Sequence, residues 1–243
     1  LLVAHGGAAL AEEFAADVTL ELLLPAVQVA PFVAALETLG QRERTLLVFT
    51  SDNGGAFGNV TKESEFLPGR MGGTDYVFFG STGNSRAFKG SIYEGGIRTP
   101  FIARWPGKIK SGSTSNVPAV FYDVMVTLAD VAEASPPKES DGVSLLPTLT
   151  GKGKQAKREF LLWDFGGYGG QQAVRLGDWK GLRRNIHQGN MKLELYNLAT
   201  DPSEQNDLAA KHPEIVQRIE KILAQQHRPS AEFPINILDN PTR

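Results

Sequence analysis

The run TLLVFTSDNGG at residues 45–55 constrains the fold more than any other stretch of the chain. Thr45–Thr50 is too short for a stable helix and is bounded by turn residues, so it reads as a buried strand. It stops on an acid and an amide, Asp52 and Asn53, followed by two glycines. Two explanations fit. Asn-Gly and Gly-Gly punctuate turns, and Asp and Asn accept turn conformations. Alternatively the two oxygen donors hold a metal, because open α/β sheets bind their ligands beyond the carboxyl ends of strands. The run by itself favours the turn.

Composition narrows the function classes. At 243 residues the chain is long enough for one large domain or a domain with a small appendage. A formal net charge of −2 argues against nucleic acid as a main partner, because phosphate contacts need a basic face. Cys is absent, which removes disulfides, thiolate metal sites and a cysteine nucleophile. No apolar run reaches the ~18 residues of a membrane span. The chain opens at Leu1, and LLVA is too short for the apolar core of a signal peptide, so an amino-terminal portion is expected to lie outside it.

Pro25 and Pro31 are expected to break or kink any single helix before Gly40, leaving the piece after Pro31 as the best helical segment. A Gly-rich polar stretch runs from Gly54 to Arg86 and contains an Asn59-Val60-Thr61 sequon. Loops of that length in compact domains are often functional. TPFIARWPG at 99–107 reads as another buried strand, and Phe121, Val124, Met125, Leu128, Val131 and Ala132 recur at helical spacing. Beyond Lys154 the pattern changes to successive strands, REFLLWDF, QQAVRLGDWKGLRR and KLELYNL. A closing helix follows, with Ile215, Val216, Ile219, Ile222 and Leu223 on one stripe and Pro213 in its first turn. Asp201-Pro202-Ser203-Glu204 has the spacing of a capping box and reads as scaffold. The division is therefore an α/β part over 1–150 and a small α+β subdomain over 151–243, its antiparallel sheet carrying a packed helix.

A second run, FKGSIYEGGIRTPFIARWPGKI at 88–109, carries the other candidate chemistry. Lys89 follows the Gly-rich stretch and precedes a strand, where an ammonium can grip an anionic oxygen. A solvated surface lysine is the other reading. Glu94 reads as a turn acid bonding backbone N–H groups, and Arg98 as its partner or as an anion contact.

Taken together, TSDNGG and KGSIYEGGIRTPFIARWPGKI resemble the sulfatase family of the alkaline-phosphatase-like superfamily. FYDVMVTLADVA, DGVSLLPTL, AVRLGDWK and ELYNLATDPSEQNDLA are similar to that family's later segments, in order, so the likeness runs from about Thr45 to about Leu223. It is closest to arylsulfatases and to enzymes that desulfate sugars, N-acetylgalactosamine-6-sulfatases among them. The resemblance implies an α/β fold with a mixed, mostly parallel sheet, of which 1–150 is the carboxyl-terminal part. It implies a sulfuric ester hydrolase acting on an aryl or carbohydrate sulfate, with calcium held in part by Asp52 and Asn53. Lys89 would bind the substrate sulfate, and Glu94 and Arg98 would be structural. It also implies a secreted, periplasmic or lysosomal protein.

The family's nucleophile is a formylglycine made in a C/S-x-P-x-R motif, and residues 1–243 contain none. The family's upstream Asp pair and Lys-Trp-His run are missing too, so this chain alone is expected to turn nothing over. His5, in LVAHGGAALAEE, lacks the proline context of the family's histidine and is assigned no role. The alternatives are a phosphatase or phosphodiesterase of the same superfamily, or a non-catalytic relative that binds sulfated glycans. The scarcity of histidines near Asp52 and the K-G-x-x-Y-E-G-G run favour sulfate.

Overall fold

A computed structural model describes residues 2–4, 23–55 and 82–240. His5, the sequon at Asn59 and most of the Gly-rich stretch lie outside the described residues. The chain forms two compact units: Leu1–Ser51 with Pro100–Lys157, and Asp52–Thr99 with Arg158–Arg243.

The first unit is built on a four-stranded sheet of β1 (Leu2–Ala4), β2 (Leu47–Thr50), β3 (Phe101–Arg104) and β4 (Thr114–Ser115), in the order β2-β3-β1-β4. The two apolar runs found in the sequence are its neighbours, with Thr50 opposite Phe101 and Leu47 opposite Arg104. The sheet is mixed, as expected, but among the described strands only β1 and β4 pair in parallel; β2–β3 and β1–β3 are antiparallel. An apolar run does not fix the direction of its partner, and the strands are less buried than expected: β2 is half-buried throughout and β3 buries only Ala103. Ala103, Ile109, Leu145 and Leu149 form the core, flanked by Leu46, Val48, Phe101 and Trp105.

α1 (Leu23–Thr38) is continuous through Pro31, so of the expected break or kink the break does not occur. Pro25 falls in the first turn, where its missing N–H has no acceptor, and Pro31 forfeits one backbone bond on an exposed face. Gly40, with φ +61°, lies just beyond the helix end. α2 (Tyr122–Val131) forms where the spacing predicts a helix, but it faces the other way. Met125 is 60% exposed, and Phe121 and Leu128 are exposed beside it. Buried in their place are Asp123 and Thr127. The Asp123 carboxylate accepts from the backbone N–H of Val143 (2.8 Å) and Val120 (3.0 Å), and Thr127 Oγ1 accepts from that of Leu145 (2.9 Å). The incoming 140–145 loop has donors to satisfy, and that decides which face turns inward.

The second unit carries the antiparallel meander β5 (Leu161–Phe165), β6 (Gln171–Leu176), β7 (Trp179–Arg184) and β8 (Glu194–Asn197). Alternation sends Val174, Leu176 and Leu195 to one face and Ala173, Leu182 and Tyr196 to the other. The first face receives the predicted helix, α3 (Pro213–Gln226), through Ile219, Ile222 and Leu223, with Ile215 and Val216 at the margin. Gly181 makes room for it: a Cβ there would lie 2.9 Å from Ile219 Cδ1. Among the described residues no helix is long and apolar enough to cross a membrane.

His227, just past α3, ties the chain end to the sheet. Its Nδ1 lies 2.5 Å from Asp164 Oδ2 on β5, and its Nε2 lies 2.8 Å from Asp239 Oδ1. Both partners are carboxylates, so both ring nitrogens donate and the ring is the cation. Gln172 of β6 also bonds Asp164, at 3.1 Å, and is held by Arg183 of β7. Burial pulls the His227 pKa down, but the two carboxylates outweigh it and the net direction is up. A raised histidine pKa stabilises the fold fully below the ordinary value of about 6.5 and loses that contribution as pH rises through the folded value. The stability advantage of the wild type over His227→Gln, measured by urea unfolding, is therefore expected to be largest in mild acid and to shrink toward alkaline pH. A pH-independent difference would contradict the ion-pair assignment.

Candidate functional site

The second face of the meander is a platform for residues 86–97. Gln171 clamps the segment at both ends of its amide: Nε2 donates to the Gly90 carbonyl at 2.8 Å, and Oε1 accepts from Ile92 N–H at 3.3 Å. Phe88, Ile92 and Tyr93 are buried there. The Tyr93 ring lies between two guanidiniums, with Arg86 Cζ 4.2 Å and Arg184 Cζ 4.9 Å from its centroid. The Tyr93 and Tyr196 hydroxyls both donate to Glu194 Oε2, and Arg86 donates to Tyr196 Oη (3.0 Å) and to the Glu204 carbonyl (2.8 Å). Burial first, and then Glu194, push both phenols above the ordinary tyrosine range.

Glu94 starts a single helical turn, Glu94–Ile97, and its carboxylate is buried. It pairs with Lys180 Nζ of β7 at 2.7 Å, and the same ammonium lies 2.9 Å from Glu204 Oε1. Lys180 and Glu204 are both 0% exposed. Glu204 closes the ring by accepting the Glu94 backbone N–H on Oε2 at 2.7 Å. Two carboxylates thus share one lysine. Burial and the neighbouring Glu94 charge raise the Glu204 pKa despite Lys180. Glu94 is desolvated as well, but Lys180 more than offsets this and holds its pKa below the usual carboxylate value.

Two glycines of EGG let backbone touch backbone. A Cβ on Gly95 would sit 2.1 Å from the Ala87 carbonyl oxygen, and one on Gly96 would sit 2.0 Å from that of Ser91. The DNGG run docks on this turn. Gly54 N–H donates to the Gly96 carbonyl and Lys89 N–H donates to the Gly55 carbonyl, both at 2.9 Å. A Cβ on Gly54 would lie 1.9 Å from the Gly95 oxygen. The two sequence motifs are therefore stapled together by main-chain bonds.

This brings together the residues singled out from sequence. Asp52 is exposed, Asn53 is half-buried and Lys89 is exposed. Among the described residues no carboxylate pairs with Lys89, and no three His, Asp or Glu side chains gather around a metal-sized space. Glu94 does not reach outward: its partner is Lys180. The spacing of Asp201 and Glu204 resembles a capping box, but no helix begins there. Asp201 accepts from Gln205 and Asn206 N–H in a turn, and Glu204, at φ +52°, is the buried end of the ion triad. Nothing in the sequence singles out Lys180, and the capping-box spacing of Glu204 hides its ionic partner. Their only signal lay in the AVRLGDWK and ELYNLATDPSEQNDLA runs, which carry no chemistry by spacing.

The profile described as Sulfatase matches residues 28–134, and the one described as N-sulphoglucosamine sulphohydrolase, C-terminal, matches residues 84–229. The N-acetylgalactosamine-6-O-sulfatase of Bacteroides thetaiotaomicron is 31% identical over 203 residues, which cover 77% of this chain and 37% of that protein. Human arylsulfatase A is 30% identical over 221 residues, 80% of this chain and 40% of that protein. A solved structure from work on glycosaminoglycan metabolism by Bacteroides thetaiotaomicron superposes with TM-score 0.61 at 30% identity, covering 81% of this chain and 42% of that one. A second, at 24% identity and TM-score 0.61, covers 84% of this chain and 38% of that one. It was solved with its substrate, D-glucosamine-2-N,6-O-disulfate. The chain spans about two-fifths of the length of these relatives.

The ion triad yields a test of its own. Removing one partner of a buried ion pair costs about 3–5 kcal/mol, because the other charge is left unpaired. Lys180→Met strands two carboxylates and is expected to fall in that range by chemical denaturation. Glu204→Gln keeps an acceptor for the Glu94 N–H and keeps the Lys180–Glu94 pair, so its loss is smaller. The raised Glu204 pKa makes that group's contribution full below the ordinary carboxylate value and lost as pH rises through the folded value. Glu94 runs oppositely, with stability present above the ordinary value and lost as pH falls through its depressed one. Glu204→Gln should therefore remove only the limb that declines with rising pH. Equal losses for the two variants would refute the shared-lysine arrangement.

Proposed function

The chain belongs to the sulfatase family, and from that premise we propose that it carries the Asp-Asn and lysine parts of a calcium-dependent sulfatase site acting on a carbohydrate or aryl sulfate. One observation carries the reading: the Lys89–Gly55 and Gly54–Gly96 bonds hold the DNGG and KGSIYEGG motifs side by side. In this reading 1–150 is the carboxyl-terminal part of the catalytic α/β domain and 151–243 is a small subdomain that supports Lys89. A secreted, periplasmic or lysosomal setting is part of the same proposal.

The residues fit calcium. Asp52 and Asn53 offer a carboxylate and an amide oxygen at consecutive positions, the hard donors such an ion takes six to eight of. They fit as two members of a shell that other residues complete. Bound there, calcium would neutralise charge on the sulfuryl oxygens, and the formylglycine nucleophile would come from a motif that residues 1–243 do not contain. Lys89 supplies a compact positive charge for one of those oxygens. The ion triad and the Gln171 clamp hold the backbone on which Lys89 is carried.

The test uses the chain as it stands, with binding of calcium and of inorganic sulfate followed separately by NMR titration. Lys89→Ala is expected to abolish the sulfate response and leave the calcium response. Asp52→Ala should do the reverse. Gly54→Ala, which disturbs the staple, should weaken both. Sulfate binding that survives Lys89→Ala, or a stronger response to inorganic phosphate than to sulfate, would overturn the assignment. The unaltered chain should show no arylsulfatase turnover with added calcium.

A further inference from the structure

The GGYGG loop between β5 and β6 has a geometry that the site described above does not use. Tyr168 stands between glycines on both sides and has φ +48°, a left-handed conformation that non-glycine residues enter at a cost. Gly169 and Gly170 continue the positive φ at +90° and +76°. The loop is nevertheless tightly held. His187 N–H donates to the Gly169 carbonyl at 2.9 Å and Ile186 N–H to that of Gly170 at 3.1 Å. The His187 ring donates to the Gly166 carbonyl, also at 2.9 Å. The result is a strained, bonded loop that presents an aromatic ring 41% exposed. Strain held in place by surrounding bonds is a feature of functional sites, and the inference runs from such an outlier to a role.

The ring lies against the lysine segment. A Cβ on Gly90 would be 3.0 Å from Tyr168 Cζ and 3.1 Å from Cε2, so the hydroxyl end of the ring covers Gly90, the residue after Lys89. Gly90 itself has φ +92°, which together with the ring leaves no space for a side chain. Phe165 backs the ring, with centroids 5.9 Å apart. A partly exposed aromatic ring is thus packed on the backbone of the residue that follows Lys89, whose side chain is exposed.

We propose that Tyr168 is a specificity-determining residue that takes the apolar face of a pyranose ring whose sulfate is held by Lys89. The inference rests on the Lys89 reading given under Proposed function and adds a residue that contacts the sugar itself. An aromatic face pairs an apolar body with a polar tip, which suits a sugar's C–H face and hydroxyl rim. A bare sulfate has no such face to offer, so the ring discriminates between sulfated sugar and inorganic anion.

The test compares two probes on the full chain, glucosamine 2-N,6-O-disulfate and inorganic sulfate, by NMR titration. Tyr168→Asn removes the ring while keeping a residue that tolerates the left-handed backbone. It is expected to weaken sugar binding about fivefold, the scale of one aromatic contact, with inorganic sulfate unchanged. Tyr168→Phe keeps the ring and should bind the sugar within about twofold of the wild type. Lys89→Ala should abolish both responses. Loss of both with Lys89→Ala but no change with Tyr168→Asn overturns the role of Tyr168 and leaves Lys89 standing. No effect of Lys89→Ala on either probe overturns the Lys89 reading first. A wild type that binds the two probes equally, or neither, also refutes the proposal.

Discussion

A single buried ammonium organises the second unit. Lys180 lies in the middle of β7, with no solvent contact, and is shared by two carboxylates from segments 86 residues before it and 24 residues after it. An unpaired charge in that position would be untenable, so the fold must bring at least one acid to it. Glu94 and Glu204 both arrive, and the Glu94 N–H bond to Glu204 joins them to each other. The turn that bears Glu94 is then fixed on the sheet, and the loop that bears Lys89 is fixed with it. An ionic lock of this kind specifies one arrangement more than it adds stability, since two desolvated carboxylates work against each other.

The glycines do the complementary work. Gly54, Gly95 and Gly96 each lie where an added Cβ would fall about 2 Å from a carbonyl oxygen. The spacing of the motifs therefore reflects backbone packing as much as chemistry. The turn reading and the metal reading of Asp52-Asn53-Gly54-Gly55 are not alternatives in this light. The glycines make a turn whose N–H and C=O groups bond the lysine segment, and just before them Asp52 is exposed and Asn53 half-buried.

Much of the fold was legible because it rests on periodicity. The strand runs in the meander, the stripe on α3 and Pro213 at its start follow from local pattern and local sterics. What escaped depends on partners distant in sequence. α2 has the right period but the opposite face inward, because Asp123 and Thr127 satisfy N–H groups of a loop some 20 residues on. The stripe shows where apolar side chains align and is silent on which side the polar groups are needed. Glu204 sits at a spacing that imitates a capping box, and its true partner could not be inferred from the four residues around it. The association of 52–99 with the late sheet was hidden for the same reason, since the bonds that make it link residues roughly a hundred positions apart.

The two lysines show how far a residue type can be read without its neighbours. Lys180 in DWKG and Lys89 in FKGS both follow an aromatic and precede a glycine. Strand alternation turns Lys180 onto the face where two acids wait, which leaves no net positive charge for a ligand. Lys89 has its backbone bonded to Gly55, and its side chain is exposed. A cation already offered two carboxylates would bind a sulfate poorly, because the anion would have to displace them. Lys180 is committed to Glu94 and Glu204, whereas among the described residues no carboxylate pairs with Lys89.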